Sequence, residues 1–251
     1  MTDDSLVSQL PLGETVELDS GLTVQRRCFM ALAASVLMAA PVAAASRIRP
    51  TRGTGPLSLE QFLVEVIPVA QELVADKTPF GEDVYLHTVA SHAVQLGAVP
   101  EPQLREFGPP TGPKRFIGVN PGGQGFTVLH WKLEPGAVIR AHAHTYGNVI
   151  TLGLEGSVRI RNFELTGDPD FSHEGPTEVR LTKDQLLRPR ETNLVPLHRG
   201  YMHEFTAGPH GARGLDITTR LREKAKTPYY EIDADPIHPG GRIYAARAYF
   251  D

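Results

Sequence analysis

Cysteine is almost absent from this chain: Cys28 is the only one in 251 residues. Nothing in the sequence can therefore close an internal disulfide. An excess of positive charge is absent too. The formal net charge is −4, and the Lys and Arg clusters are short and mixed with acids. That gives no electrostatic case for a nucleic-acid partner, and the clusters read as solvated surface. Internal repeats are missing, and low-complexity sequence is confined to the N-terminal leader. What the chain has in quantity is Gly (24) and Pro (21), which favours many turns and a β-rich fold. Hydrophobic content of 41% and charged content of 22% are ordinary for a globular protein. The length allows one domain with additions, or two small ones.

Long apolar runs are scarce, and the one that exists bears on location. Arg26-Arg27 is followed by Cys28-Phe29-Met30 and an alanine-rich stretch of about 18 residues that ends near Val42-Ala43-Ala44-Ala45-Ser46. A charged start, an apolar middle and a small-residue end are the parts of an export signal, with cleavage expected after Ala45. The paired arginines and the long polar leader resemble the twin-arginine type. The resemblance implies a periplasmic or secreted protein without stable membrane anchoring after cleavage. Cleavage would remove two arginines and five acids from 25 basic and 29 acidic residues, leaving 23 against 24 and no cysteine.

The remaining chain divides by periodicity. Residues 46–56 read as a Pro/Gly/Arg linker. Ser58 to Gln61 has the form of a capping box, and apolar residues at Leu59, Phe62, Leu63, Val66, Ala70, Leu73 and Val74 have helical spacing. Pro68 should kink or split that helix. A second helix is expected from about Glu82 to Leu96, introduced by Pro79-Phe80-Gly81 and stopped by Gly97. His87 and His92 on it read as surface or packing residues. Residues 57–115 are thus expected to form a small N-terminal helical extension. From Phe126 the period changes to two, and short strands alternate with Gly/Pro turns as in a sandwich or barrel. In the first strand His130 and Trp131 should face opposite sides. The barrel is expected to span 116–251, with a tail whose Tyr229–Ile232 and Arg242–Tyr244 pieces can add strands.

Gly136 to Gly156 carries the chemistry. His142 and His144 are two apart in a β-prone segment, so both imidazoles can address one point. His203 ends a later turn-rich stretch that begins at Pro196. Gly136-x5-His142-x-His144, with Gly156 after the next strand, resembles the first motif of the cupin superfamily. Pro196-x-x-x-Gly200-x-x-His203 resembles the second, with one extra residue. The resemblance spans roughly Gly125 to Leu221. It implies an all-β fold, the double-stranded β-helix or jelly-roll barrel, holding one metal ion on His142, His144 and His203. His198 competes with His203 for the third position, which the motif spacing assigns to His203. The Glu that most metal-binding cupins carry after the second His is replaced here by Asn148 or Val149. A three-His set is similar to that of the cysteine dioxygenase branch, the thiol dioxygenases, although that branch's Ser-His-Tyr arrangement is absent from Arg213–Arg220.

Three neutral imidazoles leave open positions on an octahedral ion, and without a carboxylate the site keeps positive charge that suits an anionic co-ligand. Asn148 is a candidate fourth ligand through its amide oxygen. Tyr201, two residues before His203, is the candidate proton donor, and Tyr146 lies near His144. Arg159 and Arg161 alternate on one strand face and could clamp a substrate carboxylate if that face is inward. The resemblance implies Fe(II), with Mn, Ni or Zn as alternatives. The expected function is an Fe(II)/O2-dependent dioxygenase of a small molecule. The alternatives are a redox-neutral metal-dependent lyase or isomerase, and a non-catalytic binding cupin. A homodimer is implied by the superfamily alone.

Overall fold

The structure, a computed structural model, describes residues 56–108, 111–121, 125–167, 171–199, 201–223 and 226–250, with the side chains of Asn120, Pro121 and Tyr201 outside that set. The leader with its cleavage site, the linker up to residue 55 and the acidic loop at 168–170 lie outside the described residues. Among the described residues no helix is long and apolar enough to cross a membrane.

Helix α1 (Leu59–Ala75) begins where the capping box places it. The Ser58 hydroxyl accepts from the Gln61 N–H at 3.1 Å, and the Gln61 side chain accepts from the Ser58 N–H at 2.9 Å. Such a cap stabilises a helix by about 1 kcal/mol. Phe62, Val66, Ala70 and Leu73 form its buried face. Of the two outcomes expected at Pro68, a kink or a split, the split does not occur: the helix runs through Pro68 unbroken. Pro68 and Val64 both lie on the exposed side, so the Val64 carbonyl that loses its N–H donor faces water. Helix α2 (Pro79–Ala93) starts three residues earlier than expected. The Thr78 hydroxyl caps the Gly81 N–H at 3.1 Å, and Pro79 occupies the first turn, where its missing N–H costs nothing.

The strands are β1 (Arg105–Phe107), β2 (Arg115–Pro121), β3 (Phe126–Leu133), β4 (Val138–Ala143), β5 (Gly147–Leu165), β6 (Gly175–Leu187), β7 (Thr192–Val195), β8 (Tyr201–Arg220), β9 (Tyr229–Ile232) and β10 (Ile243–Tyr249). All pairings between them are antiparallel. β1 and the start of β2 fall within the segment expected to be helical. β1 has three residues, too few to show an alternation.

Strands β5 and β8 organise the fold. They pair along nearly their whole lengths, from Gly147 against Arg220 to Glu164 against Tyr201. The break expected at Glu155-Gly156 is a bulge inside one continuous strand, with register shifts between Gly153 and Glu155 and again between Gly156 and Val158. Gly156 has φ +65°, and a Cβ there would meet the Gly211 carbonyl oxygen at 2.1 Å, so the bulge needs a glycine. Bent at the bulges, the ribbon belongs to two layers. One half pairs with β3 and β7, and β2 and β1 extend the sheet outward from β3. The other pairs with β4 and β6, and β9 and β10 bridge from β4 to β6, closing a ring β8-β4-β9-β10-β6-β5. This is the all-β jelly-roll barrel expected of a cupin, with the helical extension packed on it.

Three apolar layers follow. Helices α1 and α2 cover the first sheet, where Phe126, Val128, Ile150, Leu152, Leu215 and Ile217 meet Phe62, Val66 and Leu86. Trp131, Phe205, Val158 and Ile160 fill the barrel interior. Ala141, Ala143, Phe163, Met202 and Tyr230 form a third cluster, on the opposite face of their strands from His142, His203 and Asn162. Trp131 is 1% exposed with its ring 5.5 Å from that of Phe205, and His130 points the other way, as alternation requires.

Candidate metal centre

The register of β4 on β8 makes the site. His142 lies directly opposite His203, so their side chains share one face of the sheet. His144 follows His142 by two residues and returns to that face. The ligand-capable nitrogens of His142, His144 and His203 lie within 4.8 Å of one another. Ring centroids are 4.9 Å apart for His142 and His144, and 4.8 Å for His142 and His203. His203 is fully buried, while His142 and His144 are half-buried.

The nitrogens are prepared for a cation. His142 Nδ1 is 2.9 Å from the Arg140 carbonyl oxygen, which can only accept. Nδ1 therefore carries the proton, and Nε2 presents its lone pair. His144 Nε2 and His203 Nε2 face each other at 2.9 Å. That spacing is close to the ~3 Å between two ligands at right angles on an ion with ~2.1 Å bonds. Burial holds His144 and His203 well below the ordinary imidazole value and lowers His142 as well. The neighbouring imidazoles push the same way for His144 and His203. A neutral triad is the form a metal needs, since a ligand must be free of its proton. No Asp or Glu joins this cluster among the described residues. The donor set therefore fits one divalent ion held by three imidazoles.

Other candidates separate from this point. His198 sits in a short 3-10 turn (Leu197–Arg199) and is bound by Glu82 of α2, with Nδ1 donating to Oε2 at 2.6 Å. It is a structural residue, and His203 is the one at the centre. His92 is likewise structural, with Nδ1 2.8 Å from the Thr88 carbonyl, while His87 is exposed. Asn148 pairs with Thr219, whose hydroxyl is hydrogen-bonded to Tyr85 of α2. The register thus turns Asn148 toward the helices, away from the ligand face, and removes it as a fourth ligand. Arg159 and Arg161 also leave the site. Val158, Ile160 and Asn162 take the inward positions, and the arginines pair with Asp184 and Glu204. The Tyr146 phenol is pushed up by burial, with Arg220 opposing that. Tyr201 occupies β8 opposite Glu164, and its side chain is outside the described set.

The structure adds residues that sequence reasoning missed. Asn162 lies opposite His203 on the β5 side, 3% exposed, and Tyr229 lies opposite His142 on the β9 side. Tyr249 lies opposite Tyr229 in turn. One row of side chains therefore runs Tyr249, Tyr229, His142, His203, Asn162. Arg140 leans over it, its guanidinium carbon 4.9 Å from the Tyr229 ring centroid. Arg140 could have been suspected from its spacing to His142. Nothing local in the sequence announces that β9 docks on β4.

No family model matches the chain, and no curated protein is significantly similar to it. Solved structures give distant matches. KdgF from a Halomonas species matches at 16% identity and a TM-score of 0.35, over 48% of this chain and 90% of that one. Procruciferin, an 11S globulin from Brassica napus, matches at 11% and 0.35, over 46% of this chain and 27% of that one. An oxalate oxidase matches at 19% and 0.30, over 40% of this chain and 44% of that one. The chain thus spans less than half the length of the latter two. The class is set by the chain's own geometry: an all-β cupin-type barrel whose paired strands β4 and β8 bring three histidines together.

Proposed function

We propose that this protein is a metal-dependent cupin that binds one divalent ion through His142, His144 and His203 and acts with it on a small molecule. The observation that carries the reading is the convergence of three neutral imidazoles, two of them 2.9 Å apart at Nε2, with no acid of the described residues in the cluster. When bound, the ion supplies a Lewis acid with open positions for a small molecule. The chain's own residues do the rest. The Arg140 carbonyl fixes the His142 tautomer, Phe205 packs edge-on against His203 with centroids 4.6 Å apart, and the barrel core behind them excludes water.

The finer reading is Fe(II)-dependent oxidation of that small molecule by O2. An all-histidine set removes a negative charge from the centre and suits an anionic co-ligand. The proton-donor role of Tyr201, a periplasmic or secreted location and a homodimer belong to the same proposal. Elemental analysis of tag-free protein beside a His142→Ala/His144→Ala variant tests it. Near-stoichiometric iron, lost in the variant, and O2 uptake with a panel of small acids and thiols are expected. Stoichiometric manganese, nickel or zinc without O2 uptake would replace oxidation by lyase or isomerase chemistry. No metal in the wild type after reconstitution would overturn the enzyme reading.

A further inference from the structure

The ligand histidines differ in what stands behind them. His142 Nδ1 is answered by the Arg140 carbonyl oxygen at 2.9 Å. His203 is the fully buried member of the triad, and its Nδ1 has no hydrogen-bond partner among the described residues. With Nε2 directed at His144 Nε2, Nδ1 is the nitrogen that carries the proton when the ring is a neutral ligand. A buried N–H is thus left without an acceptor. The complementary atom lies on the next strand. Asn162 stands directly opposite His203 in the pairing of β5 with β8, so the two side chains share a face. Asn162 Nδ2 donates to the Leu194 carbonyl at 3.3 Å. A carbonyl only accepts, which fixes the orientation of the amide and leaves Oδ1 as an acceptor. That Oδ1 is buried and also lacks a partner among the described residues. Asn162 sits at the bulge between β5 and β6, where the Thr182 hydroxyl donates to its backbone carbonyl at 3.0 Å. Bulges commonly re-aim a side chain beside a site.

We propose that Asn162 is a positioning residue of the metal centre: its Oδ1 accepts the His203 Nδ1 proton in the metal-loaded protein and so holds the Nε2 lone pair on the ion. This rests on the metal-binding reading above. A buried donor and a buried acceptor left unmade are both unfavourable, and one bond between them answers both. Cross-strand partners stand ~5 Å apart at Cβ, within reach of an imidazole and an amide, so the bond needs side-chain rotation and no change of backbone. An acceptor at the outer nitrogen fixes the tautomer, orients the ring and makes the inner nitrogen a more basic ligand. The Arg140 carbonyl does this for His142 from β4, and Asn162 does it for His203 from β5. An amide supplies the acceptor without the negative charge a carboxylate would bring to the cluster.

The test uses the full chain loaded with Zn(II), a diamagnetic ion that leaves histidine NMR signals visible. Zn(II) affinity is measured by competition with a chelating dye for wild type, Asn162→Leu and Asn162→Asp, and the imidazole nitrogens are followed by NMR. In the wild type His203 is expected as the Nδ1–H tautomer, with a downfield, slowly exchanging proton. Asn162→Leu keeps the volume but has no acceptor, and should weaken Zn(II) roughly 10–100-fold and lose the downfield shift of that proton. Asn162→Asp restores an acceptor and should bind Zn(II) within about threefold of wild type or more tightly. A residue that merely packs the barrel would show no such rescue, so equal losses in Asn162→Leu and Asn162→Asp overturn the proposal. Were Asn162→Leu to misfold, the wild-type spectrum and Asn162→Asp carry the test. An Nε2–H tautomer at His203, a fast-exchanging Nδ1 proton, or Zn(II) affinity unchanged in Asn162→Leu overturns the role of Asn162 and leaves the metal centre standing. Failure of the wild type to bind Zn(II) overturns the metal reading, and the positioning role with it.

Discussion

His198 and His203 lie five residues apart and meet opposite fates. Around His198 every polar group has an answer. The Glu82 carboxylate, 3% exposed, accepts from the Leu197 N–H at 2.7 Å, the His198 N–H at 3.0 Å and His198 Nδ1 at 2.6 Å. Asp83 and Arg199 complete the cluster from outside. Around His203 three imidazoles crowd together, and among the described residues no carboxylate joins them. A buried polar cluster that is fully paired holds a fold together. One that gathers lone pairs without donors is organised for something the chain does not itself supply. The first cluster ties α2 to the turn that leads into β8. The second lies on β8 itself, so the latch also fixes the strand that carries the third ligand.

Separating the two clusters by mutation gives the largest expected effects. His203→Ala should lower metal affinity by more than the ~10–100-fold that a ligand's outer partners contribute. His198→Ala should leave metal stoichiometry unchanged. Glu82→Ala should do the reverse of His203→Ala. It leaves two backbone N–H groups and an imidazole of the turn without their acceptor, and should cost about 3 kcal/mol of stability. Urea unfolding followed alongside metal content would show this. A Glu82→Ala protein as stable as wild type would remove the latch from the account.

A third buried polar group sharpens the contrast, because it is ionisable and half answered. Asp216 points into the barrel, where Thr151 Oγ1 donates to it at 2.7 Å. Burial pushes its carboxyl up to about 7, against the opposing pull of Thr151 and the Trp131 indole. The native state therefore keeps this proton where the unfolded chain, at the ordinary 3.8, has lost it. The stability contributed is full below the unfolded value and disappears as pH rises through about 7. Between pH 5 and pH 7 the loss should be about 2 kcal/mol. Asp216→Asn should lack it, so the stability difference between the two proteins should change across that window. A difference that stays constant with pH would mean that Asp216 is ionised in the fold.

How far the sequence discloses these clusters depends on whether the signal is local. The β-rich barrel shows in period-two runs from Phe126, and His142 and His144 share a face because they are two apart. α1 shows in its capping box. The latch does not show, because Glu82 and His198 belong to different elements and meet only when α2 docks. The row through Tyr229 and Asn162 is hidden for the same reason: cross-strand register is set by packing, which no single stretch encodes. Pro68 does not split α1 because the cost of a lost N–H depends on exposure, which the local sequence does not give. Gly156 misleads because a bulge and a turn ask for the same residue.

Asn148 provides the finest test of register against sequence, and the smallest effect. Its position after His144 makes it a natural fourth ligand on paper. In the fold it is fully buried opposite Thr219, in the layer where Tyr85 of α2 reaches the sheet. A one-residue shift in the pairing of β5 with β8 would turn it inward, since successive side chains alternate. Asn148→Ala should therefore leave metal stoichiometry and affinity unchanged and alter stability by about 1 kcal/mol, through lost packing between sheet and helix. Metal titration and thermal melting of the one variant read both quantities. A fall in metal affinity with stability preserved would require the opposite register at the start of β5, and with it a different ligand set from three histidines alone.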